Sequence, residues 1–127
     1  MSGVAAVGVC VILAGLAVLQ VALVCGAPLG RFAWGGSHDV LPLGLRIGSA
    51  ASVGLYGVMA IVVLTKADVA RIVGHQGIVD VGTWVLVGYF ALGVVVNGIS
   101  RSRSERAVMT PVCAALAALT TVVALGL

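Results

Sequence analysis

The chain has 127 residues, of which 61% are hydrophobic and only 9% charged, and its net charge is +3. A soluble domain carries roughly 25% charged residues, and a domain this small buries the smaller share of its surface, so the composition excludes an ordinary soluble fold and asks for a bilayer as solvent. A charge of +3 is too small to argue for nucleic acid as a partner, and basic residues beside apolar stretches point instead to membrane lipids with anionic headgroups.

From Ser2 to Val24 there is no Lys or Arg, and the apolar run exceeds the ~7–15 residues of a secretory leader's core. It is expected to be a retained first span. Crossing ~30 Å of hydrocarbon takes roughly 20 apolar residues. Four stretches satisfy this, at about 4–26, 46–65, 79–99 and 107–126, and none has Lys or Arg in its interior. Backbone groups in lipid must be satisfied within the segment, so each span is expected to be helical. The runs lack the period-two alternation of a membrane β-barrel. The expected fold class is an all-α membrane protein: one domain over 1–127, a four-transmembrane-helix bundle with short connections.

The first connection, 27–45, reads APLGRFAWGGSHDVLPLGL. Pro28, Gly35, Gly36, Pro42 and Gly44 punctuate it as ordered turns rather than helix, and Phe32 and Trp34 suit an interface. The second, 66–78, repeats Val69, Ile72 and Val73 at helical spacing, predicting a short surface helix ending near Gly74 or Gly77. The third, 100–106, reads SRSRSER and forces spans three and four into an antiparallel hairpin.

Connections one and three hold Arg31, Arg46, Arg101, Arg103 and Arg106; the opposite side holds Lys66 and Arg71. The positive-inside bias therefore places connections one and three in the cytoplasm and both termini outside. Small residues abound: Gly44, Gly48 and Ser52 in span two, Gly88, Gly93 and Gly98 in span three, Ala107, Pro111 and Ala115 in span four. They let helix backbones approach closely, which fits a compact bundle and equally a tight homo-oligomer.

No catalytic, metal-binding, nucleotide-binding or cofactor motif is present. Cys10, Cys25 and Cys113 all fall in apolar runs without a CxxC pair, and are expected to act as small buried hydrophobes. The candidates for ligand binding are Arg31, Trp34, Arg46, Arg101 and Arg103 at the cytoplasmic rim, with Asn97 and Gln20 in the spans. Arginine forks match phosphate or carboxylate oxygens, although short cytoplasmic connections also carry arginines merely to set topology. Gln20 is expected to find an interhelical partner, as intramembrane polar residues usually do. His38-Asp39 is the best acid–base pair on offer, yet neighbours in sequence rarely face each other, and Asp39 is equally suited to cap local amides. Asp80 is expected to satisfy the N-terminus of the third span. Tyr56, Trp84 and Tyr89 read as packing or interface anchors, and His75, Gln76 and Asp80 as a polar cluster on the outer side without metal-ligand spacing.

The segments GAPLGRFAWGG, LPLGLRIGSA and TWVLVGYFALGVVVNGISRSRSER together resemble a set of uncharacterised small four-span integral membrane proteins of high-GC bacteria. The resemblance runs from about Gly26 to Pro111 and implies a bacterial inner-membrane location but no activity. Small multidrug exporters fit poorly, since their membrane-embedded Glu has only Gln20 in its place. Fluoride channels fit poorly too, because span three holds Phe90 alone. Sterol-isomerase-like enzymes use intramembrane His and Glu, which no span contains.

Three function classes follow. The first is a non-enzymatic bundle that binds a lipid-like or hydrophobic ligand, or serves as an accessory subunit, with an arginine-rich cytoplasmic rim. The second is an enzyme on a lipophilic substrate using His38 and Asp39. The third is a small oligomeric channel or transporter with Gln20, Tyr89 and Asn97 along a polar track.

Overall fold

The computed structural model describes residues 1–69, 74 and 76–127. It is an all-helical bundle of four long helices: α1 (Ser2–Val24), α2 (Leu43–Lys66), α3 (Gln76–Gly98) and α4 (Arg103–Leu125). Each is long and apolar enough to cross a membrane. The short surface helix expected in the second connection falls on 70–73 and 75, outside the described residues, as does His75 of the outer polar cluster.

The helices start two to four residues earlier than the apolar runs. α2 takes in Leu43, Gly44 and Leu45, because Pro42 sets an extended N-cap and its carbonyl accepts the amide of Arg46 at 3.0 Å. α4 takes in Arg103, Glu105 and Arg106, because Ser102 caps it by accepting the Glu105 amide at 3.3 Å. Three helix ends turn on a left-handed residue: Gly26 at φ 91°, Asp68 at φ 60° and Gly126 at φ 72°. At each, the last orphan carbonyls are satisfied by the two amides that follow, as in Val69 to Leu64 at 3.1 Å and Leu127 to Val122 at 3.2 Å.

α1 packs between α2 and α4, and α4 between α1 and α3; α2 and α3 close the ring as its loosest neighbouring pair. Val9, Leu13, Met59, Val63, Leu116 and Val123 fill the half of the core nearer the termini. There Gly82 faces Val62, and Lys66 reaches across to Asp80 at 2.7 Å. Asp80 lies beyond the first turn of α3, so it acts through this ion pair rather than as the expected cap. Hydroxyls of Ser52, Thr65, Thr83 and Thr121 donate to the carbonyl four residues back. Such bonds satisfy a hydroxyl in apolar surroundings without a partner helix.

The small residues divide by what they touch. Gly93 admits α4, since a Cβ there would lie 3.0 Å from the Cys113 sulfur. Gly44, Gly54 and Gly88 face open space, and Ala107, Pro111 and Ala115 are exposed. Gly48, expected to admit a helix, instead admits the indole of Trp34, 2.9 Å from where its Cβ would be.

The first connection folds back on itself. It contains two 3-10 turns, Gly30–Phe32 and Trp34–Gly36, and the Gly30 amide donates to the Asp39 carbonyl at 2.8 Å. A Cβ on Gly30 would overlap the His38 carbonyl. Gly30→Ala should therefore lower the thermal unfolding midpoint in detergent, by about 1–3 kcal/mol of stability as for other overpacked sites. Gly88→Ala, which faces open space, should stay within about 0.5 kcal/mol of the parent; equal effects would mean that the closure of this connection is not tight.

Candidate functional site

The end of the bundle carrying connections one and three is here called the arginine end. Ser102 donates to the Arg31 carbonyl at 2.6 Å and Gly36 abuts Ser102, so the two connections form one surface. Toward this end a cavity of about 440 Å³ lies among the helices. α1 supplies Leu16 and Gln20, and α2 supplies Ser52 and Tyr56. Tyr89 to Asn97 of α3 and Met109 to Leu116 of α4 complete the walls. Phe32, Ala33, Trp34 and Gly35 of the first connection cover its end. Tyr89, Leu92 and Val96, spaced along one face of α3, are half exposed or more, so the mouth lies on the loosely packed α2–α3 side.

Trp34 holds the cover in place. Its Nε1 donates to the fully buried Ser49 Oγ at 3.0 Å, while its ring lies over Gly48. Its backbone sits at φ 53°, a left-handed conformation costing roughly 1–2 kcal/mol for a residue with a Cβ. The indole's bond and contact offset that cost.

The polar atoms of the cavity come from two pairs. Gln20, 9% exposed, donates Nε2 to the Tyr56 hydroxyl at 3.3 Å, which is the expected interhelical bond, and its Oε1 is buried without a partner. Asn97 donates to the Gly93 carbonyl at 2.8 Å and to the Cys113 sulfur at 3.3 Å. Five of the chain's six aromatic residues line this space; Trp84 alone does not.

A second recess of about 550 Å³ adjoins the first at the arginine end and shares Gly35, Val96 and Glu105 with it. Ser37, Ser100, Arg101 and Ser102 make it polar. Glu105, only 7% exposed, stands between the two spaces and accepts from the Ser100 hydroxyl at 2.8 Å. As the third residue of α4 its carboxylate also faces the positive end of the helix dipole.

The candidates chosen from sequence thus separate. Gln20, Trp34 and Asn97 meet in the cavity, and Arg101 lines the adjoining recess. Arg31 lies over the Phe32 ring at 4.8 Å from its centroid, on the outer side of the cover. Arg46 donates Nε to the Leu41 carbonyl at 2.9 Å and fills the space beside Gly26, so it braces the connection. Arg103 is exposed and lines neither space, and Arg106 donates to the Ser100 carbonyl at 2.8 Å. His38 and Asp39 are exposed and line neither space; Asp39 contributes its backbone carbonyl rather than the expected carboxylate cap. Cys25 is exposed at the end of α1 rather than buried like a small hydrophobe. Among the described residues no group of three His, Cys, Asp or Glu side chains is placed to hold a metal ion.

The ligand-binding candidates read from the sequence leave out Glu105 and Tyr56, the latter expected only as a packing or interface anchor. Ser102 followed three residues later by Glu105 is a capping signature that marks the start of α4, and it places Glu105 at the bundle end. Nothing local marks Tyr56, whose partner is 36 residues away.

In a Trp84→Phe background, Ser49→Ala should shift Trp34 emission to longer wavelength and remove about 1 kcal/mol of stability, the worth of one hydrogen bond. Unchanged emission would show that Gly48 alone seats the ring. Comparison of the chain with protein-family models, curated proteins and solved structures finds no match, so the chemistry of the site rests on its own geometry.

Proposed function

We propose that this is a small integral membrane protein of the bacterial cytoplasmic membrane that binds a lipid-like, hydrophobic ligand without transforming it, or presents one as an accessory subunit. The observation that carries this reading is the cavity of about 440 Å³, apolar and aromatic in its walls and adjoined by an arginine-bearing recess. Ligand sites of roughly 300–1,000 Å³ with apolar walls and a few placed polar groups are the usual form of small-molecule binding. The ligand enters from the bilayer between α2 and α3, and an anionic headgroup, where present, rests near Arg101. Connections one and three face the cytoplasm and the termini face outward, in keeping with five arginines on the one side against Lys66 and Arg71 on the other.

Two observations weigh against the other classes. His38 and Asp39 stand away from both spaces, which leaves the enzymatic reading without the pair it relied on. Gln20, Tyr89 and Asn97 do share the cavity, yet the half of the core beyond it is filled by Val9, Met59, Val63 and Val123. That makes the space a blind recess rather than a track through one chain.

Native mass spectrometry from lipid nanodiscs should find a discrete bound mass. Val96→Trp or Val112→Phe, which fill the cavity, should cut its occupancy about tenfold, equivalent to about 1.4 kcal/mol. Val85→Trp, 62% exposed before substitution and outside the lining, should leave it unchanged. Bare protein throughout would remove the binding reading. For topology, Ser37→Cys in a Cys25→Ser background should react with a membrane-impermeant maleimide only after cells are permeabilised; labelling of intact cells would reverse the orientation.

A further inference from the structure

We infer that the cavity takes a lipid-soluble ring compound bearing hydroxyl or carbonyl oxygens, of the quinol–quinone class, rather than a saturated acyl chain. The inference rests on the reading of the cavity as a binding site and names what that site selects.

Two observations separate a ring from a chain. First, aromatic side chains make up little of this sequence, with two each of Phe, Trp and Tyr. Phe32 and Trp34 come from the first connection, Tyr56 from α2, and Tyr89 and Phe90 from α3, yet all five reach one cavity. An acyl chain is held equally well by aliphatic walls, which this sequence has in abundance. Aromatic faces and edges instead favour a planar partner, which stacks on them or meets them edge-on. Tyr89 and Phe90 already stand edge-on to each other, at 70° with centroids 5.7 Å apart.

Second, the Gln20–Tyr56 pair is incomplete. Gln20 is nine-tenths buried, its Oε1 has no partner, and the Tyr56 hydroxyl accepts from Gln20 while its own proton meets no acceptor among the described residues. A buried amide oxygen without a donor is costly, and an acyl chain would leave it so. A ring hydroxyl completes the pair by donating to Oε1 and accepting from Tyr56. A ring carbonyl does so with the Gln20 amide turned over, so that Oε1 accepts from the Tyr56 hydroxyl and Nε2 donates to the carbonyl. Both groups are neutral, so this depth of the cavity suits a neutral oxygen and not a phosphate. The tail leaves through the mouth beside Leu92 and Val96, which are more than half exposed.

The test uses the full chain in nanodiscs with Trp84→Phe, so that Trp34 at the cavity cover is the sole fluorophore. Trp34→Phe, which retains Trp84 on the outer face of α3, reports quenching by quencher dissolved in the bilayer. Decylubiquinone should quench Trp34 saturably and stoichiometrically, while Trp84 is quenched in linear proportion to the quinone added. Gln20→Leu and, separately, Tyr56→Phe should each raise the half-saturation concentration about tenfold; Tyr56→Phe removes only a hydroxyl, so it reports even where Gln20→Leu folds poorly. Saturable quenching by a bromoacyl phosphatidylcholine with none by the quinone would overturn the ring assignment and leave the binding reading standing. Linear quenching of Trp34 by both probes would overturn both. Saturable quenching by quinone that neither variant weakens would overturn the role given to the Gln20–Tyr56 pair.

Discussion

The seating of Trp34 on α2 is the contact on which the arginine end depends. A glycine at 48 leaves room for the indole, a serine at 49 gives it a buried acceptor, and the turn that presents it runs through a left-handed backbone. Remove the seat, and the first connection loses its anchor over the bundle. With it go the cover of the cavity and the surface shared with the third connection through Ser102 and Arg31. The cavity opens beside the loosest neighbouring pair of helices, α2 and α3, which the Lys66–Asp80 ion pair ties together near the termini. A folded connection, rather than a helix, fills part of that gap.

Polar groups in this chain are handled in two distinct ways. The hydroxyls of Ser52, Thr65, Thr83 and Thr121 bond back to their own helix, which satisfies them wherever the helix sits. Gln20, Tyr56 and Glu105 are different, with partners on other helices or on the turn before their own; Asn97 bonds both back to Gly93 and across to Cys113, and all four border the cavity. In apolar surroundings an unmet hydrogen-bonding group is expensive, so the place where such groups gather and one remains unmet is where a ligand has most to offer. This concentration supports the proposed binding role more than the arginines do, since three of the five arginines of the two connections, Arg31, Arg46 and Arg106, serve the connections themselves.

The arginines also show why a shared end of the bundle is a weak guide to a shared site. Arg46 braces the loop at Leu41, Arg106 holds Ser100, and Arg31 lies along Phe32. Only Arg101 borders a recess. Charges that set topology need only sit on the correct side, whereas charges that bind must also converge, and convergence is a property of the folded connections.

Much of the architecture was legible in the sequence. Four apolar runs and the lack of charge within them dictate four long helices, because a helix is the one local structure that satisfies its own backbone; the hairpin of spans three and four follows from a connection too short for anything else. Gln20 could be picked out by type, as a polar residue within an apolar run. Its partner Tyr56 could not, nor could the gathering of aromatic residues from three separate segments, nor the use of Gly48 for an indole instead of a helix. Those outcomes depend on how far apart α2 and α3 stand and on the path of the first connection. Both are fixed by contacts between residues distant in the chain, and periodicity and composition describe only what each segment needs to bury, not what it buries it against.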